Sequence, residues 1–426
     1  MSTTTAVSWP EIYGETASRV LLDAPAARPV FTGTNACVDA IFRVDAGRLA
    51  RIVAAVWTSA VGTSAVGTLA VGSALMGRVL DRIGQGRGGE LLTRWPSGPA
   101  WIMDLLGEPD RYQVGGTGPQ ASWALATLGA RTVLALADRS AGQLAVIDPR
   151  AGLCSGGAVV PAGQVAPRGE PSKEPHCILE FTAGTTSGAV TVSRSSRVIL
   201  RFGDEPVEQD EEYLTTTADL APTAGAGLVS GLNGPPDDDH EAHDWVLGLA
   251  RAWSRSGLSV IHHELAEFPS IGRLREAAEL APVTSVGLSL SELFMLAGTR
   301  GDPRVLARDL GERSGAGRVI VHADDWALAV SRGDQADPQL ALLTGNLLAA
   351  ARARAGRPTD ALAPPADARY VDDRPPDGAM GDGWHARCVP APHLRKPVGT
   401  IGLGDTFVAG VLLADSLRYP PTMRRN

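Results

Sequence analysis

From about residue 225 onward, short apolar runs alternate with longer stretches in which apolar positions recur at helical spacing. Gly227-Leu-Val-Ser230, Ser259-Val-Ile-His262, Ser285-Val-Gly-Leu288 and Arg318-Val-Ile-Val-His322 read as strands. Asp244 to Ser254, Ile271 to Leu280, Leu290 to Ala297 and Pro338 to Ala355 read as helices between or after them. Strands separated by helices form parallel crossovers, so this half predicts a doubly wound sheet with ligands at the C-terminal strand ends. The acidic stretch Pro235 to His240 and the Pro/Asp-rich stretch Pro358 to Gly383 interrupt the alternation as loops.

The earlier chain is less regular. Met1 to Arg28 reads as an irregular arm, and Pro29-Val-Phe-Thr-Gly33 begins the first strand. Asp45 opens a helix carrying Leu49, Ile52, Val53 and Val56, Gly84 to Gly89 is a loop, and Trp101 to Gly107 is a short helix. Gly115-Gly-Thr-Gly118 opens a helix through Ala121, Leu125 and Leu128 to a stop at Gly129, and Thr132 to Leu136 follows as a strand. Cys177 to Phe181, Ala189 to Val192 and Arg197 to Arg201 lie close together, as short antiparallel strands would.

Composition narrows the function classes. The chain has 426 residues, 44% hydrophobic but only 5% aromatic, so its core is built mainly from Ala, Val and Leu. A formal charge of -8 offers no field for a polyphosphate backbone, which argues against nucleic acid as a partner. The 4 cysteines form no Cys-x-x-Cys pair and the N-terminus has no basic, then apolar, leader; both point to a reducing cytoplasm. Ile52 to Gly77 carries no charge and contains a repeat of Ser-Ala-Val-Gly-Thr. Its Gly, Ser, Thr and Ala content favours a packed helical segment, open to a subunit contact, over a membrane span.

The local signal for chemistry is Val398-Gly-Thr-Ile-Gly-Leu-Gly-Asp-Thr-Phe-Val-Ala-Gly410. Thr400 to Gly404 is a tight glycine turn, and an apolar helix follows from Asp405. Backbone N–H groups of Gly402, Leu403 and Gly404 converge at a helix N-terminus, where the dipole favours anions. Asp405 stands there to accept a proton from a substrate hydroxyl. Phosphoryl transfer needs both, a cradle for spreading negative charge and an aligned base. The plain alternative is an Asp that caps the helix.

The run Gly402-Leu-Gly-Asp-Thr-Phe-Val-Ala-Gly410 near the C-terminus of an α/β chain resembles the ribokinase-like superfamily. Other segments are similar to its ADP-dependent glucokinase/phosphofructokinase family, in the same order along the chain. These are Asn35-Ala-Cys-Val-Asp39, His176-Cys-Ile-Leu-Glu-Phe181, Ser196-Arg-Val-Ile199, His262-His-Glu264 and Ser289-Leu-Ser-Glu292, with Cys37 and Ser289 where the family has asparagines. The resemblance implies ADP as phosphoryl donor, with ATP the alternative, and Mg²⁺ held by Glu264 and Glu292. It implies a sugar or sugar-phosphate acceptor held by Asn35, Asp39, Glu90, Gly115, Gly116, Gln120 and His176, and a nucleotide phosphate met by Arg197, Thr400 and Gly402.

The expected architecture is ribokinase-like: a large doubly wound, mostly parallel α/β domain from 121–169 and 206–426, and a smaller discontinuous lid mainly from 30–120 and 170–205. Residues 1–29 form the irregular arm, and the protein is a monomer or homodimer in the cytoplasm. The competing functions are an ATP-dependent kinase of another sugar or nucleoside, and a non-catalytic sugar- or nucleotide-binding regulator.

Overall fold

The computed structural model describes residues 7–61, 68–236, 238–268, 270–280, 282–333 and 338–417. The fold is α/β, built on an 11-stranded and a 5-stranded sheet. At the centre of the larger sheet, Val30–Thr32 pairs in parallel with Ala226–Val229 on one side and Thr132–Leu134 on the other. Chain order then runs outward in both directions: through Gly152–Ser155 on one side, and through Ile261–Glu264, Ser285–Ser289 and Arg318–His322 on the other. The gap between Val30–Thr32 and Ala226–Val229 is therefore the point where strand order reverses, the place where a doubly wound sheet leaves a crevice. Antiparallel strands close both edges, Ala158–Pro161 at one, and Trp326–Arg332, Trp384–Pro390 and Gly378–Gly381 at the other.

The central strands are buried on both faces, which is why they read as unbroken apolar runs. On one face, the helices Pro338–Ala355 and Leu403–Ser416 approach closely. A Cβ on Gly410 would lie 2.7 Å from Cα of Gly345, so only glycine at this crossing allows the contact. That contact fixes the start of the second helix relative to the end of the first.

The smaller sheet has the order Gly89–Leu92, Ser196–Arg201, His176–Phe181, Cys37–Val44, Arg111–Gly115. Its own apolar core includes Phe42, Leu49, Ile52, Leu75, Leu179 and Phe202, contributed by strands, the loop after Arg201 and the helices Ala46–Val61 and Thr68–Gly84. The Ser-Ala-Val-Gly-Thr repeat falls at the facing ends of these helices, with residues 62–67 outside the described residues. No helix among the described residues is long and apolar enough to cross a membrane.

Three expectations are corrected. Residues 9–23 of the arm form a helix, Trp9–Asp23, started by Ser8 and Glu11 in a reciprocal cap and docked through a hydrogen bond from the Tyr13 hydroxyl to Pro390 O (2.7 Å). Val30–Thr32, placed within the lid range, is a central strand of the larger sheet. The loop expected over 358–383 ends in the strand Gly378–Gly381, which pairs with Trp384–Pro390.

Candidate active site

The helix Leu403–Ser416 begins at Gly402, whose φ of 68° is left-handed. The first amides of the helix have no carbonyl one turn earlier to bond, so the N–H groups of Gly402, Leu403, Gly404 and Asp405 are left without helical partners and can serve a ligand. Thr406 N makes the first helical bond, to Gly402 O (3.0 Å). Beneath this turn lies Arg352 of the helix Pro338–Ala355, 1% exposed. Its guanidinium donates to Thr406 Oγ1 (2.8 Å) and Gln120 Oε1 (2.7 Å). Burial pushes Arg352 down to about 10, and it keeps its charge at neutral pH. Thr400 adds a buried Oγ1 for which no partner is present among the described residues, while its N–H bonds Glu180 Oε1 (3.0 Å). Positive charge and unspent donors thus converge on one spot.

Asp405 is the third residue of this helix, with Thr117 and Arg352 among the groups that act on it. Burial raises its carboxyl above the ordinary value, against the pull of Arg352 and Arg197. A raised carboxylate is a better proton acceptor than an exposed one. Arg197 acts on both Asp405 and Arg352, so the strand Ser196–Arg201 delivers it to the same place.

Glu264 ends the strand Ile261–Glu264 and is 6% exposed. Both its oxygens are engaged: Oε2 with His262 Nε2 and Oε1 with His322 Nε2, each at 3.1 Å. Burial would raise its carboxyl, but the two imidazoles hold it below the ordinary value. His262 is fixed in turn by Ser285 Oγ (2.8 Å). Glu292 forms a capping box with Ser289: Ser289 N donates to Glu292 Oε2 (2.7 Å), and Glu292 N donates to Ser289 Oγ (3.3 Å). Its carboxyl is raised by burial and feels both Glu264 and His322. A buried carboxylate beside a half-buried one fits Mg²⁺ held through water; direct binding by Glu264 would have to displace an imidazole.

The remaining candidates gather where the two sheets face each other. Asp39 stands in register with His176 on the adjacent strand. His176 Nε2 makes a very short contact with Glu205 Oε1, which also accepts from Arg201 Nε (3.1 Å). Arg201 Nη1 donates to Glu90 Oε2 (2.9 Å), and Asn233 Nδ2 reaches the same oxygen (3.4 Å). Lys173 donates to Glu208 Oε1 (2.7 Å), Ala36 O (2.8 Å) and Asn35 Oδ1 (3.4 Å). Burial would raise Glu205, but His176 and Arg201 hold it down to about 2; Glu90, by contrast, is raised by burial. Gly115 leaves room for Asp39, since a Cβ there would sit 2.2 Å from Oδ1.

Gly116 and Gln120 belong to the helix that the glycine run opens. Gly116 is the N-cap of the helix Thr117–Thr127. Gln120, in the first turns of that helix, is 2% exposed and holds Arg352 while donating to Val114 O, so it underlies the cradle. The sequence reading did not single out Arg352, His322, Arg201, Glu205 or Lys173 as site residues.

A family model, the ADP-specific phosphofructokinase/glucokinase conserved region, matches residues 28–414. The chain belongs to this family. It is accordingly a phosphotransferase with an alcohol group as acceptor, of the ADP-dependent sugar kinases. No curated protein matches the sequence significantly. Among solved structures, an ADP-dependent kinase in complex with fructose 6-phosphate and ADPβS is similar over 98% of this chain and 100% of that one, with TM-score 0.76 and 18% identity. A hypothetical ADP-dependent phosphofructokinase from Pyrococcus horikoshii OT3 matches over 92% and 98%, with TM-score 0.70 and 16% identity. The last common ancestor of ADP-dependent phosphofructokinases from Methanosarcinales matches over 97% and 99%, with TM-score 0.69 and 17% identity. These likenesses show that the chain shares the fold of those ADP-dependent kinases.

Proposed function

We propose that the chain transfers the β-phosphoryl group of ADP to a hydroxyl of glucose, fructose 6-phosphate or a related sugar, with Asp405 as the base. The observation that carries this is Asp405 on the third position of a helix whose free amides and underlying Arg352 form an anion cradle. The transferring phosphoryl group rests on the N–H groups of Gly402, Leu403 and Gly404, with Thr400 Oγ1 as a further donor. Arg352 and Arg197 offset the charge that spreads over its oxygens. Asp405 takes the proton as the acceptor oxygen attacks in line.

Glu264 and Glu292 would hold Mg²⁺ through water, and that ion would neutralise nucleotide phosphate. The imidazoles of His262 and His322 orient Glu264 for this role. The smaller sheet acts as the lid that expels water from the reaction.

Asp39, Glu90, Asn35 and His176 face the acceptor. The basic side chains described there already have carboxylate partners, Arg201 with Glu90 and Glu205, Lys173 with Glu208 and His176 with Glu205. A pocket so balanced suits a neutral polyol such as glucose better than a dianionic sugar phosphate. The test is a phosphoryl-transfer assay crossing ADP and ATP with glucose, fructose 6-phosphate, ribose and nucleosides. Turnover with ADP and a sugar supports the reading; turnover confined to nucleosides, or none with any sugar, overturns it.

A further inference from the structure

The smaller sheet brings a sulfur, a nitrogen and an oxygen donor to one point. Cys37 and Asp39 lie two positions apart on one strand, so their side chains share a face, and His176 sits beside Asp39 on the next strand. Cys37 Sγ is 3.5 Å from His176 Nδ1 and 3.7 Å from Asp39 Oδ1, and Nδ1 to Oδ1 is 3.5 Å. A tetrahedral cation bound at about 2.3 Å to sulfur and about 2.0–2.2 Å to nitrogen and oxygen holds such atoms about 3.4–3.6 Å apart. The triangle has the size of one face of that tetrahedron.

An independent feature lies behind it. Glu205 engages the other ring nitrogen of His176, the support that a metal-bound histidine commonly has. Glu205 is 5% exposed, and its Oε2 has no hydrogen-bond partner among the described residues. Ligand atoms of Cys37, His176 and Glu205 all lie within 4.8 Å of one another. Cys37 and Asp39 are also buried.

We propose that Cys37, His176 and Asp39 bind one zinc-class divalent cation, with Glu205 holding the histidine ring. A thiolate and an imidazole select zinc or cobalt over Mg²⁺, so this site is chemically distinct from Glu264 and Glu292. The cation displaces protons from Cys37, whose thiol burial pushes up to about 12, and from His176, so affinity rises with pH. Asp39 and His176 are also assigned to the acceptor, so cation and sugar exclude each other; this last consequence rests on the acceptor reading above.

Cobalt(II) titration of the purified, chelator-treated full chain tests the site through the thiolate-to-cobalt absorption band. The wild type should bind about one cobalt with that band, displaced by zinc. Cys37→Asn should lose the band and Cys388→Ser should keep it. Glu205→Gln should keep the band but weaken affinity about 10–100-fold. No thiolate band in the folded wild type, an undiminished band in Cys37→Asn, or unchanged affinity in Glu205→Gln would overturn the proposal. Should Cys37→Asn fail to fold, the Glu205→Gln affinity decides. Glucose and fructose 6-phosphate are then added to the cobalt-loaded chain. Loss of the band supports the exclusion; a persistent band overturns the exclusion and leaves the cation site standing.

Discussion

A Cβ on Gly402 would lie 2.4 Å from Nη2 of Arg352, so the guanidinium occupies the space that any other residue's side chain would need. The left-handed turn and the buried cation are one unit. Gly402→Ala strains the turn and pushes Arg352 away at once, and Arg352→Met removes the charge alone. Both variants should fold by far-UV circular dichroism and lose about 10²–10³-fold in kcat, the usual cost of one anion-stabilising donor. Arg352→Met with unchanged kcat would show that the cradle works without its charge.

Asp405→Asn keeps the size and helix position of the residue but cannot take a proton. Its kcat should fall by several orders of magnitude, on the order of 10³ or more, with ADP affinity retained. In the wild type, the base must be ionised and its carboxyl is raised by burial. Activity should therefore be full above that raised value and fall as pH drops through it, at higher pH than an ordinary aspartate would give. A kcat profile without this acid limb, or an active Asp405→Asn, removes Asp405 from the base role.

Glu264 and Glu292 should separate in an Mg²⁺ titration. Glu264→Gln leaves two imidazoles without their carboxylate, and should raise the Mg²⁺ needed for half-maximal rate by about 10–100-fold, with acceptor KM little changed. Glu292→Gln keeps an acceptor for Ser289 N and should shift the titration less. Unchanged titrations in both would leave the pair as structural groups, Glu264 fixing histidines and Glu292 capping its helix.

The donor should be ADP in preference to ATP. With the β-phosphate in the cradle formed by Gly402 to Gly404, the extra phosphate of ATP places its terminal group out of line, and alignment is most of what the protein supplies. Comparing kcat/KM for the two donors with a fixed acceptor checks this. Equal or better use of ATP would sink the donor assignment and leave the phosphotransfer chemistry intact.

Legibility from sequence followed the range of each interaction. The cradle and Asp405 are contiguous, so one run of residues displayed them. Glu264 and Glu292 ended or followed apolar strand runs and could be placed at the strand ends. Ser289 looked like a departure from the family asparagine, yet serine and asparagine cap helices equally well, and it caps the helix Leu290–Ala297. Arg352 was hidden because it reaches the site only through the Gly345–Gly410 crossing, a contact between segments some sixty residues apart. Arg201 and Glu205 were hidden likewise, since strand pairing and a loop bring them to His176. The helix Trp9–Asp23 did carry a readable start, Ser8 with Pro10 and Glu11, in a stretch whose polar opening suggested irregular chain.

Glu267 sits on the larger domain's side of the crevice, yet its carboxylate holds Arg82 (3.1 Å) and the backbone N–H of Glu90 (3.0 Å). Arg201 reaches back across to the carbonyls of Asn233 (3.2 Å) and Gly234 (3.1 Å). On the acceptor reading proposed above, the residues that meet the sugar would therefore also join the two sheets. A sugar hydroxyl that drew Glu90 or Arg201 toward itself would pull on that join, so filling the pocket and setting the angle between the sheets would be a single equilibrium.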